Sequence, residues 1–204
     1  MANRTSKCAV GRDRRPRFAA GTMKLNISYA LAVALSVITL AGAEEAVMKL
    51  TSTAFATNQQ IPIKFTGEGA DVSPALKWEG APAGVKSFAL ICDDPDALSV
   101  AGKVWDHWLI WNIPATTPEL PENVAKTETI TALGGARQGL NGWPRLGFNG
   151  PMPPPGHGVH HYHFKLYALD TVLNLPAKAT KPQLEAAMKG HVLAETELIG
   201  TYER

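Results

Sequence analysis

The chain has 204 residues, with 20 Lys or Arg against 18 Asp or Glu, 45% hydrophobic residues and two cysteines. That length and composition fit one domain with a real core, and two cysteines exclude a disulfide framework. Beyond residues 1–43 no basic stripe or basic-aromatic interleaving remains to suit nucleic acid, and no internal repeat or heptad suggests a solenoid or coiled coil.

Read in chain order, residues 1–43 form an N-terminal extension and signal peptide. Met1 to Thr22 is arginine-rich, Met23 is the favoured initiator, and Lys24 opens an apolar run, Leu25 to Leu40, that is short for a membrane span. Ala41-Gly42-Ala43 then gives the small-x-small pattern of a signal peptidase site, so the mature domain is expected to be residues 44–204, beginning at Glu44. The leader carries seven of the basic residues and one of the acids, which leaves thirteen basic side chains against seventeen acidic ones. Cys8 leaves with it, so Cys92 is alone. The expected location is periplasmic or secreted, with no stable membrane span after cleavage.

Met48 to Phe55 and Ile61 to Phe65 read as short strands, and Gly67 to Pro74 as a turn. Leu76-Lys77-Trp78 precedes a second loop, Gly80 to Gly84. Ser87 to Cys92 is a compact apolar run, predicted as a buried strand ending in Asp93, Asp94, Pro95 and Asp96. This acidic run has two readings: a turn in which Asp94 and Asp96 make side-chain-to-backbone bonds around Pro95, or a carboxylate fixed by the proline and aimed into a pocket to orient an imidazole or meet an amine. Val104 to Pro114 is strand-like and aromatic. Alternation puts His107 with Trp105, Leu109, Trp111 and Ile113, where burial would depress its pKa unless a carboxylate or an anion supports the charge.

Thr116 to Gly142 has little periodicity and reads as a long, partly irregular connection that can cover a pocket. The most informative segment follows. Gly147 to Gly158 is a Gly- and Pro-rich loop that runs directly into an alternating strand. Val159, His161, His163, Lys165, Tyr167 and Leu169 share one face, and His160, Tyr162, Phe164, Leu166 and Ala168 the other, more apolar face. Polar rings at the end of an apolar stripe need partners, either within the fold or in a ligand. The cluster His157, His160, His161 and His163 has no carboxylate or cysteine close in sequence to complete a metal site, so neither metal nor cofactor is expected. Pro182 to Lys189 suits a short helix capped by Thr180 and stopped by Gly190, and His191 to Tyr202 resumes an apolar pattern.

The combination of DDPDA (Asp93 to Ala97), DHW (Asp106 to Trp108) and GFNGPMPPPGHGVHHYHFKLYALD (Gly147 to Asp170) resembles the phosphatidylethanolamine-binding protein family, in its bacterial Raf kinase inhibitor-like branch. The resemblance runs from about Thr51 to the end of the chain. It implies a mainly β fold, an antiparallel Greek-key β-sandwich with a short C-terminal helix, and a small anion pocket at one end. Matched position by position, it implies Asp94, His107, Gly150, His160 and Tyr162 as ligand-binding residues, the Gly150 amide approaching the ligand. His161 stands where the family usually has arginine, Leu98 where proline often follows, and Met152 where bacterial members often carry cysteine.

The chemistry of those residue types agrees. Imidazoles, a phenol hydroxyl and oriented amides suit a phosphate or carboxylate, and Asp94 suits a supporting role toward a histidine or an ammonium group. No G-x-S-x-G elbow is present, no base is assigned to Ser99, and Cys92 ends an apolar run, so no catalytic residue is expected. The reading is an exported binding protein for a small anionic ligand or phospholipid head group, with a protein partner or a homodimer as further assemblies. Two alternatives stand beside it: a protease inhibitor or envelope interaction protein that uses the pocket for docking, and a metal-assisted hydrolase.

Overall fold

The computed structural model describes residues 47–204, so the expected leader, Cys8, Met23 and the Glu44 junction lie outside the described residues. The elements in chain order are β1 (Lys49–Ser52), β2 (Gln59–Gln60), β3 (Leu76–Glu79), β4 (Ser87–Asp94), α1 (Leu98–Ala101), β5 (Trp105–Pro114), β6 (Glu119–Leu120), β7 (Thr129–Ile130), β8 (Ala136–Gln138), β9 (His160–Leu169), α2 (Lys181–Met188) and β10 (Val192–Tyr202). They make a three-stranded sheet, β1-β3-β6, and a seven-stranded sheet, β2-β10-β9-β4-β5-β8-β7. The fold is mainly β as expected, but the sheets are not purely antiparallel: β2 pairs with β10 in parallel. The helix expected near the chain end is α2, and the long strand β10 follows it.

One apolar cluster joins the two sheets. Leu50, Leu76, Trp78 and Leu120 from the small sheet share it with Phe88, Leu90, Ile110, Phe164 and Leu166 from the large one. A second cluster covers the large sheet's other face, where Ala89, Ile91, Leu109 and Trp111 pack with Leu173, Leu184 and Met188. This double cover explains why every residue of β4 is buried and why its sequence is a continuous apolar run rather than an alternating one. On β9, His160, Tyr162, Phe164 and Leu166 are buried while His161 is exposed and His163, Lys165 and Tyr167 are half-buried, so the period-two reading of this strand is observed.

Alternation misplaces β5. Asp93 pairs with Asp106 and Cys92 with Trp108, so His107 is an extra residue in a β-bulge. The bulge turns His107 away from the Leu109 and Trp111 face to stand perpendicular to Tyr162, ring centroids 5.1 Å apart. A second irregularity, with Asn112 at φ 56°, moves Ile113 to the cluster between the sheets.

Two expected strands are also corrected. The first stops at Ser52, whose hydroxyl donates to the Ala75 carbonyl and accepts from the Ala54 amide. Ile61 to Phe65 is not a strand. Pro62 has no N–H to give a ladder, and its carbonyl instead accepts from the Phe65 amide in a 3-10 turn over Ile63–Phe65. Helix α2 does begin with a capping box between Thr180 and Gln183.

Candidate functional site

The acids of the DDPD run leave the end of β4 in three directions, which relieves the repulsion their spacing would create. Asp93, 1% exposed, turns to the helix side and takes Lys165 at 2.9 Å and Lys181 at 2.5 Å. Asp96 accepts from both the amide and the ring of His161, each at 2.8 Å. Burial works to raise the Asp96 pKa, but the His161 bonds outweigh it and hold the acid below its ordinary value. At position 161, where the family usually has arginine, the histidine thus bonds Asp96 through both its amide and its ring.

Asp94 turns toward β9 and does both things its sequence context allowed. Its Oδ1 accepts from the Ala97 amide at 3.2 Å, closing the turn into α1, and its Oδ2 lies 2.7 Å from Nδ1 of His160. The two side chains are 5% and 2% exposed. A carboxylate can only accept, so His160 carries its proton on Nδ1 and leaves Nε2 as its second nitrogen.

His107 is held by the same logic. Its Nδ1 lies 2.6 Å from the Asn149 carbonyl, which makes that nitrogen the donor and again leaves Nε2. Burial pushes its pKa below the ordinary histidine value, against the Asn149 carbonyl and the charges of Asp94, Asp106 and Asp93. The neutral ring therefore presents an acceptor, not the N–H donor expected from sequence. Burial, reinforced by the Asp94 charge, raises the Tyr162 hydroxyl well above its ordinary pKa, so it stays an O–H donor.

These groups line a cavity of about 260 Å³ at the ends of β4, β5 and β9. Asp94, His107, His160 and Tyr162 supply its polar surface; Val100 and Ala101 of α1, Trp105, Trp143, Met152, Pro153 and Pro154 supply apolar walls. Four of the five residues expected at the site are thus brought together.

Gly150 is the exception and is corrected here. Its amide donates to Asp71 Oδ1 at 2.6 Å and is spent inside the protein, and the residue does not line the cavity. A Cβ at Gly150 would lie 2.1 Å from the Phe65 carbonyl oxygen, so this glycine is required by close backbone approach. Asp71 also accepts from Asn149 Nδ2 and Lys126, and Asn141 donates to Asn149 Oδ1. This latch fixes the peptide whose carbonyl orients His107.

Asp71, Asn141, Asn149, Trp105 and Trp143 were not identified as site residues from sequence, and His157 was noticed only as a member of the histidine cluster. Asn149 reaches His107 and Asp71 across 42 and 78 residues, and Gly150 reaches Asp71 across 79, so only the turn at Asp71 and the tryptophans themselves offered a signal. His157 is exposed, and its Nδ1 lies 2.9 Å from Nε2 of His160.

Neither nucleophile candidate gains a base. The Ser99 hydroxyl donates to the Asp96 carbonyl within the α1 turn, and burial followed by the Asp93 and Asp94 charges pushes the Cys92 thiol up. Among the described residues, no three His, Cys, Asp or Glu side chains converge as a metal site, and no helix is long and apolar enough to cross a membrane.

Residues 51–203 match the family described as phosphatidylethanolamine-binding protein. A UPF0098 protein of Pyrococcus horikoshii is 47% identical over 178 residues, covering 87% of this chain and 88% of its own. A UPF0098 protein of Methanothermobacter thermautotrophicus is 49% identical, covering 77% of this chain and 99% of its own. Two solved structures are similar: the Escherichia coli protein YbcL, described as a member of the mammalian family, with a TM-score of 0.72 at 34% identity, and the Chlamydia trachomatis homologue CT736, with a TM-score of 0.70 at 39% identity. Each covers 78% of this chain and 99% of its own. On motif, sequence and fold together, the chain belongs to the phosphatidylethanolamine-binding protein family.

Proposed function

We propose that this family member is a binding protein whose cavity takes a small phosphate-like or carboxylate-like group, such as that of a phospholipid head group. The observation that carries the reading is the convergence of two histidines, each with Nδ1 already committed, and the Tyr162 hydroxyl on one cavity. An anion placed there meets the phenol donor directly. It meets His107 as a donor only once that ring is protonated, so binding takes up a proton and strengthens as pH falls. Apolar walls exclude water and make each polar contact stronger than it would be in the open. The same family reading carries the Greek-key description of the two sheets. Export to the periplasm or beyond is part of the proposal, resting on the Ala41-Gly42-Ala43 boundary. Intact mass of the native product from the envelope fraction is expected to begin at Glu44, and retention of Leu25 to Leu40 would contradict it.

Calorimetric titration with inorganic phosphate and with phosphoethanolamine tests the binding. We expect affinity between millimolar and micromolar, roughly −4 to −8 kcal/mol. His107→Ala and His160→Ala are expected to abolish it. His163→Ala should leave it intact, because His163 sits on the opposite face of β9 beside Glu197. Equal loss from all three substitutions would mean that the cavity is not the site.

A further inference from the structure

We infer that His157 is an internal competitor for the anion position, a gate that a ligand must displace, and this rests on the cavity being an anion site. Nε2 of His160 has a single in-plane hydrogen-bonding direction, carrying either a lone pair or a proton. His157 Nδ1 occupies it at 2.9 Å, with ring centroids 5.1 Å apart. The other nitrogen of His160 is spent on Asp94, and the residue is 1% exposed. A ligand oxygen that reaches this imidazole therefore takes the place of His157.

The surrounding loop is built for such an exchange. Its base is pinned: the Gly67 amide donates to the Pro151 carbonyl, the Gly156 amide to the Arg204 carbonyl, and the Arg204 side chain to the Pro153 carbonyl. Its tip is not. Gly156 and Gly158 flank His157 at φ 76° and 90°, and a Cβ at either would meet nothing within 4 Å. His157 itself is exposed, so the ring can leave without opening the core. An oxyanion can only accept, so it takes this direction with a proton on Nε2 as well as the one on Nδ1 that faces Asp94, and that charge-assisted bond is about twice as strong as a bond to the neutral imidazole of His157. The gate thus selects oxyanions over neutral carbonyl or hydroxyl compounds, which gain nothing by displacing it.

The test compares full-length wild type with His157→Ala, titrated with inorganic phosphate, phosphoethanolamine and glycerol, while side-chain 15N spectra follow His157 and His160. Removing one neutral competing hydrogen bond should tighten both phosphates about fivefold without changing the thermal midpoint of the ligand-free protein. Glycerol, excluded from the wild type, should become detectable in the variant. In the wild type, phosphate should move the His157 Nδ1 signal to that of a free imidazole. A gain for phosphoethanolamine alone would place the site on head groups, and equal gains would place it on the phosphate. Phosphate binding to the wild type with no gain, or a loss, in His157→Ala overturns the gate alone. Absence of phosphate binding in both proteins overturns the anion reading and the gate with it.

Discussion

Replacing Asp94 by alanine is expected to lower the thermal midpoint of the ligand-free protein by about 10 °C. The substitution removes the acceptor of a buried histidine and, with the other oxygen, the bond that closes the turn into α1. Leaving a buried polar partner unsatisfied costs about 1–3 kcal/mol, and breaking a buried pair costs up to ~5 kcal/mol when the partner is charged. A loss of about 3 kcal/mol converts to roughly 6–12 °C for a domain of this size. Asp94→Asn keeps one oxygen, enough for the turn or for the histidine but not for both, and should lose about half as much. Differential scanning calorimetry of the three proteins checks this. A midpoint for Asp94→Ala within 2 °C of wild type would show that the His160 pair contributes nothing to the fold.

Gly150→Ala should be comparably damaging, and without any ligand present. Its new methyl group would sit 2.1 Å from the Phe65 carbonyl oxygen and 2.7 Å from the Thr66 Cα, both backbone atoms that no rotamer change can move aside. Overpacking against a rigid neighbour costs about 3 kcal/mol. Relief of the clash drags on the Asp71 latch and on the Asn149 carbonyl that orients His107, so phosphate affinity should fall as well. If Gly150 were a ligand contact, the variant would lose affinity while keeping the wild-type midpoint. Chemical unfolding and phosphate titration of the same preparation separate the two outcomes.

What could be read from the residues depended on how local the physics was. The faces of β9, the buried run of β4 and the capped start of α2 each follow from a period or a cap contained within about ten residues. His160 and Tyr162 were accessible for the same reason, since they sit at a strand end whose direction was legible, whereas Asp94 was singled out from its neighbouring acids by its motif. His107 entered the site through its motif, while alternation along β5 assigned it the wrong face. A bulge is one extra residue with no signature in period two, and this one reverses the face of every residue before it. The latch was hidden differently. Asp71 and Gly150 are 79 residues apart, and a glycine in a Gly/Pro-rich loop reads equally as a ligand cradle or as a close backbone crossing. Only the Phe65 carbonyl above it decides between them. His157 was noticed as part of a histidine cluster, but its pairing depends on the loop folding back over β9, which no spacing rule specifies.

The most direct measurement is the imidazole 15N spectrum of the wild-type protein during titration with inorganic phosphate. Burial holds the free His107 ring below the ordinary histidine range, so it begins neutral with Nε2 unprotonated. An anion beside that nitrogen favours the charged form. The account predicts that the Nε2 signals of His107 and His160 move together and saturate with one affinity, His107 shifting toward the protonated form and more readily as the pH is lowered. His163 and His191, paired with Glu197 and Asp170 away from the cavity, should stay in place. Unmoved His107 and His160 signals at millimolar phosphate, or equal movement of all four rings, would contradict an anion site in this cavity.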